Sequence, residues 1–395
     1  MSTPSGTAAP TPHGFTPRAR FGLTLIAGGA VANIYYNQPL LALLVNEFGA
    51  RAALLVPTAS LIGYGLGILA LVPLGDSLSR RSLIIGQTLG LALALLAAAL
   101  SPNLAALAGA SLVIGILASA AQQAVPFAAE LAPDATRGRM VGQVMTGLLT
   151  GILLARTASG LVGAQYGWRA VFFAAAGIAV LMAGIAAATL PGAAQTRPLR
   201  YRALMLSILH LVRSQPALRR ASVSQGLLFA GFNAFWATLA LLVEAPPFNL
   251  TAAGAGLFGV IGVAGACVAP LSGRFADRHG PRPMVVIGAL LVVAAFAVLW
   301  AGIWSLVAVG IGVLLIDIGL NAALIANQTR VYALVPSARG RINTVLFTVM
   351  FVFGAFGAFA GSQAFLIAGW SGVCTVGIAL AAAGFLVSAL ERKGA

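Results

Sequence analysis

Twelve long apolar runs, six in each half of the chain, limit what this sequence can become. Each is long enough to cross a bilayer, which takes about 20 residues of helix. Hydrocarbon offers the backbone no water. A spanning segment therefore bonds its own N–H and C=O groups as a helix, or joins a closed barrel. Barrel strands alternate apolar and polar residues over roughly 10 positions, whereas these runs are longer and uniformly apolar. A soluble fold is excluded by composition: 60% of residues are hydrophobic and 8% charged, against about 25% charged in soluble domains. The chain reads as an all-α membrane protein with twelve transmembrane helices.

The two halves repeat. Gly273-x3-Asp277-Arg278-x-Gly280-x-Arg282 has a weaker twin around Asp76, Arg80 and Arg81, and the two aspartates lie 201 residues apart. Arg137-Gly138-Arg139 returns as Arg339-Gly340-Arg341, and Gly167-Trp168 as Gly369-Trp370, each 202 residues on. Three unrelated patterns with one offset imply a duplicated unit of six spans. The expected division is a disordered tail over 1–20, a six-helix bundle over 21–190, a linker over 191–219 and a second six-helix bundle over 220–391. The arginines and leucines of 199–213 predict a helix lying on the membrane surface.

The net charge is +15, but it orients the chain and does not announce a nucleic-acid partner. With the N-terminus on the cytoplasmic side, Arg18, Arg20, Arg80, Arg81, Arg137, Arg139, the linker, Arg274, Arg278, Arg282, Arg330, Arg339, Arg341, Arg392 and Lys393 share that side. Only Arg51 and Arg169 fall opposite. This is the positive-inside bias, and it puts both termini in the cytoplasm.

Polar residues inside apolar runs mark the candidate site. In span 1, over 21–45, Asn33, Tyr36 and Asn37 are spaced i, i+3, i+4 and share a helical face. Gln123 in span 4 adds to a polar face, and Asn233 and Trp236 share a face of span 7. Arg156 sits deep in span 5 among small residues. A charge there costs about 2.5–3.5 kcal/mol on insertion scales, and a guanidinium cannot shed its proton to escape. It needs a carboxylate, carbonyl oxygens, water or an anionic ligand. Asp317, in span 10 with Asn321 one turn on, is the one acidic residue expected at mid-membrane depth. By default such a residue marks an ion or proton path. A structural ion pair between Arg156 and Asp317 is the plainer expectation.

No catalytic constellation and no cofactor motif stands in the sequence. There is no Walker loop, His13, His210 and His279 are scattered, and Cys267 and Cys374 lack metal-ligand spacing. Twelve spans in two parallel halves is secondary-transporter architecture, with its site near the midplane between repeats.

The motif Gly273-x3-Asp277-Arg278-x-Gly280-x-Arg282 resembles the signature loop of the major facilitator superfamily between helices 8 and 9. Asp76, Arg80 and Arg81 match its first-half copy, where Val72, Ser77 and Ser79 depart from the pattern. Gly151-x3-Ala155-Arg156-x2-Ser159-Gly160 is similar to the antiporter signature of drug and metabolite exporters, with Arg156 where that signature has proline. The Asn33–Pro39 run looks like that of bacterial exporters in this branch.

The resemblance implies the major facilitator fold in a bacterial inner membrane, and a monomer that moves a small-molecule substrate against protons by alternating access. It implies a cavity lined by helices 1, 4, 7 and 10, and a cytoplasmic gate built from Asp76, Arg80, Arg81, Gly273, Asp277, Arg278, Gly280 and Arg282. Proton coupling falls to Asp317 with Arg156. An organic-anion carrier using Arg156, or a uniporter or importer, fits the same residues.

Overall fold

The computed structural model describes residues 16–133, 136–192, 200–267, 280–302, 304–335 and 338–389, with side chains left out over 263–267. Among the described residues nine helices are long and apolar enough to cross a membrane. The fold is the twelve-helix bundle that the runs imply. Large apolar side chains such as Leu93, Leu181, Val307 and Ile367 stand exposed on its flanks. In water such a surface would be a liability; in lipid it is the wetted face.

Span 1 is two helices, α1 (Pro17–Ala32) and α2 (Leu41–Phe48). Between them the backbone tightens to i→i+3 bonds: the N–H groups of Asn33, Ile34 and Tyr35 donate to Ala30, Val31 and Ala32, and those of Gln38 and Leu40 to Tyr35 and Asn37. Two causes act together. Pro39 supplies no donor, and the Asn33 amide donates to the Gly29 and Ala30 carbonyls at 2.7 and 3.2 Å, competing with the ladder.

Helix α3 (Arg51–Ala70) carries Pro57 in its interior and leads into a 3-10 turn over Pro73–Asp76. Helix α4 spans Arg80–Ala99. Span 4 is again divided, into α5 (Leu104–Ala118) and α6 (Ala120–Leu131), with Ser119 at the joint. Helices α7 (Arg137–Tyr166) and α8 (Trp168–Thr189) complete the first six spans.

Helix α9 (Tyr201–Ser214) forms where the linker predicts one. Its Leu204, Ile208 and Leu211 are buried, the last two among Val331, Ile342 and Leu346, while Leu206 and Leu209 face outward. Then follow α10 (Pro216–Glu244), α11 (Ala252–Cys267), α12 (Pro281–Ala301), α13 (Leu306–Tyr332) and α14 (Arg339–Ala389). The 51 residues of α14 are two spans broken at Ala368 and Gly369. Gly369 takes φ +59°, and its repeat partner Gly167 takes φ +79°. Each places a tryptophan at the head of the next span, and a left-handed backbone of this kind favours glycine.

The repeat extends to individual bonds. Arg81 donates to the Ala187 carbonyl at 2.6 Å, and Arg282 to the Ala389 carbonyl at 3.0 Å. Donors and acceptors are displaced by 201 and 202 residues. The departure at Ser79 also has a physical reading. Gly280 sits at φ +83° before α12, whereas Ser79 before α4 has φ −57° and its hydroxyl accepts from the Ser82 N–H. The first-half turn does not need glycine there.

Helices from the two halves meet along two seams, α3 against α14 and α7 against α11. In the first, Pro57 lacks the N–H that would bond the Ala53 carbonyl, and the Ser362 hydroxyl donates to that oxygen instead, at 3.0 Å. Tyr64 and Phe351 meet at a tilt along the same seam, ring centroids 4.5 Å apart. In the second, Thr157 donates to the Gly256 carbonyl at 3.2 Å. A Cβ on Gly160 would run into the Ala252 carbonyl, so the helices touch backbone to backbone.

Candidate functional site

Arg156 lies on α7 with 3% of its surface exposed. Its Nε–H donates to Gln38 Oε1 at 2.7 Å. The guanidinium packs against three rings, with centroids 3.9 Å away for Trp236, 4.7 Å for Tyr35 and 5.8 Å for Phe232. A desolvated cation on aromatic faces gains about 2 kcal/mol or more, which offsets part of the burial cost. One nitrogen, Nη2, has no hydrogen-bond partner. Trp236 is equally buried, and its Nε1–H has none either. Both residues line a small space together with Gln38, Pro39, Leu239, Ala240 and Ala255.

Asp317 on α13 is also buried, and its Oδ2 is without a hydrogen-bond partner. The expected ion pair with Arg156 is absent among the described residues. The cause lies in α11, whose glycine face serves both side chains one turn apart. A Cβ on Gly259 would lie 3.0 Å from Arg156 Cβ, and one on Gly262 would lie 3.4 Å from Asp317 Oδ2. Equal depth in the sequence did not bring the two charges into direct contact.

Of the asparagines expected in the cavity, Asn33, Asn37 and Asn233 are buried, each satisfied on one side only. Asn37 donates to the Ser60 hydroxyl at 3.0 Å and Asn233 to the Phe229 carbonyl at 2.9 Å. The amide oxygens of Asn33, Asn37 and Asn233 have no donor. Asn321 donates to the Asp317 carbonyl at 2.9 Å. Tyr36 is half-buried and packs on the apolar core.

Gln123 does not join this group. Its amide donates to the Leu71 carbonyl at 2.7 Å, and its oxygen accepts from Arg80 at 2.9 Å. It joins the cluster around Arg80, expected as part of the gate, in which Arg80 also holds Asp76 at 2.7 Å and Glu130 at 3.1 Å. Gly75 leaves room for this knot, since a Cβ there would crowd both Arg80 and Gln123. Of the second gate motif, Gly273, Asp277 and Arg278 lie outside the described residues, and Gly280 and Arg282 stand as given above.

Three contributors escaped the sequence reading: Gln38, Tyr35 and Phe232. Gln38 and Tyr35 stand three apart, and the tightened backbone between α1 and α2 turns them toward Arg156. The i, i+3, i+4 rule that grouped Asn33, Tyr36 and Asn37 assumes an unbroken α-helix; Pro39 was the signal that it would fail. At the opposite end of the bundle from Arg80, Glu47 takes Arg169 at 2.7 Å and the Trp168 indole N–H at 2.7 Å. These bonds, that of Arg169 first, hold the Glu47 carboxyl below the usual range.

A family model described as Major Facilitator Superfamily matches residues 23–358. An uncharacterized transporter, YgaY, of Escherichia coli O157:H7 is 38% identical over 377 residues, covering 95% of this chain and 96% of the relative. A chloramphenicol efflux pump of Mycobacterium tuberculosis (strain H37Rv) is 26% identical over 316 residues, covering 76% of this chain and 73% of that one. The crystal structure of a peptide transporter, POT, superimposes with a TM-score of 0.74 at 14% identity, covering 97% of this chain and 98% of that chain.

Proposed function

Because the chain belongs to the Major Facilitator Superfamily, we propose that it is a proton-coupled exporter of small organic molecules. It works by alternating access, with the bundles 21–190 and 220–391 rocking about the space beside Arg156. The observation that carries this reading is Asp317: a buried carboxylate with an unpartnered oxygen, against the same α11 face that supports Arg156. An intramembrane acid of this kind is a proton site by default. The similarity to an efflux pump supports the outward direction.

The loop charges give the orientation, with the Arg80 cluster and both termini on the cytoplasmic side of a bacterial inner membrane. On that reading the Ser362–Ala53 and Thr157–Gly256 contacts close the outer side in this conformation. The knot of Arg80 with Asp76, Glu130 and Gln123 braces the first bundle at the inner side. Protonation of Asp317 from outside changes the charge between α11 and α13. Release of that proton inside resets the cycle. In this conformation Arg156 is held by Gln38 and the rings, with no direct bond to Asp317.

The test uses inside-out vesicles with an acidified interior. Addition of transported compounds should collapse the gradient in a manner that needs Asp317, and Asp317→Asn should abolish it. Collapse of equal size with Asp317→Asn refutes proton coupling at this residue.

A further inference from the structure

We infer that the space beside Arg156 binds the carboxylate of a small organic acid with an apolar body. This deepens the transporter reading and rests on it. Two buried side chains line that space with N–H groups that lack acceptors, Arg156 through Nη2 and Trp236 through Nε1. Both are donors only. A ligand that satisfies them must bring acceptor oxygens, and a cationic ligand would meet the like charge of the guanidinium.

The donors are also held in place. Gln38 Oε1 fixes the guanidinium at Nε, at 2.7 Å, and the Trp236 ring covers its face at 3.9 Å. What remains without a partner is Nη2, on an edge of the guanidinium plane, the direction from which a carboxylate is bound. The rest of the wall is Pro39, Leu239, Ala240 and Ala255, which offers apolar contact and no further charge. In this conformation the space has room for about one water, so the body of the acid enters it as the bundles rock open.

Repeat symmetry points the same way. The position of Arg156 falls 202 residues before Ala358, so the second half carries no matching charge. The guanidinium is not a relic of the duplicated scaffold. No ion pair of Arg156 is present among the described residues.

Equilibrium binding to the purified full chain in detergent decides the matter. The probes are benzoate and hexanoate, with benzamide, hexanamide and benzylamine as charge controls. Each acid should bind roughly 10- to 150-fold tighter than its amide, the range for a hydrogen bond to a charged group. Arg156→Gln should erase that preference, and Arg156→Lys should restore part of it. Should Arg156→Gln fail to fold, Trp236→Phe keeps the ring and removes only the N–H, and should weaken acid binding roughly 2- to 13-fold.

Equal affinity for acids and amides overturns the inference, as does tighter binding of benzylamine, or absence of binding by either acid. Gradient-driven flux of a neutral compound, undiminished in Arg156→Gln, overturns it while leaving the exporter reading intact. Acid binding with the expected variant pattern but no flux supports the site and sinks the exporter reading.

Discussion

The Ser362–Ala53 bond offers the sharpest perturbation of the rocking motion. The Ser362 hydroxyl is fully buried and lies 3.0 Å from a carbonyl that Pro57 leaves without its helical donor. Opening the seam between α3 and α14 exchanges that bond for water. Ser362→Ala removes it only from the closed form. A net hydrogen bond contributes about 0.5–1.5 kcal/mol, so the closed population should fall roughly 2- to 13-fold relative to the open one. Spin labels on Arg51→Cys and Ile367→Cys report this end, both positions being exposed, with Cys267 and Cys374 replaced by alanine. A longer-distance component should grow in Ser362→Ala. The control is Pro57→Ala, which returns an N–H to the Ala53 carbonyl. In that background Ser362→Ala should have a much smaller effect, a coupling that the double-mutant cycle isolates. Unchanged distances in Ser362→Ala, or an equal shift with and without Pro57, would refute the argument.

Three further outcomes follow from the same geometry. Arg80→Ala removes two half-exposed ion pairs, each contributing up to about 1 kcal/mol. It also strands the buried Gln123 oxygen, which costs about 1–3 kcal/mol, so the thermal midpoint should fall and Arg80→Lys should recover only part of the loss. Gly160→Val drives a side chain into the Ala252 carbonyl and should favour the form open at the Glu47 end by about 1–3 kcal/mol, read by the same label pair. The Glu47 carboxyl is held low by Arg169 and Trp168. Its contribution to the stability of the first bundle is therefore complete above the ordinary glutamate range and lost as pH falls through the lowered value. Glu47→Gln should remove this acid dependence from the thermal midpoint.

Much of the scaffold was legible because lipid leaves the backbone few choices. Long apolar runs must be helices, and glycine before tryptophan at a 202-residue interval announced the same turn twice. Arg156 and Asp317 stood out because a charge in an apolar run is costly. Their relation was not legible. Depth can be read along a run, but the angle around a bundle is set by packing, and α11 holds the two on successive turns of its glycine face. Gln123 shows the same limit, since its neighbours are the freed carbonyls at the end of α3 and the arginine of α4. Gln38 and Tyr35 were missed for another reason: helical periodicity was applied across a stretch where the backbone is no longer α-helical. Pro57 and Ser362 sit in different halves, and nothing in one sequence links a missing donor to a hydroxyl 305 positions away.

The central claim is that one proton on Asp317 governs which side of the bundle is open. The most direct measurement is the Arg51→Cys/Ile367→Cys distance distribution in liposomes, titrated above the ordinary carboxylate range so that Glu47 stays ionised. No substrate is needed. The account predicts a pH-dependent exchange between closed and open distances that Asp317→Asn abolishes, leaving the population fixed at its protonated value. An Asp317→Asn protein that titrates like the parent would contradict it.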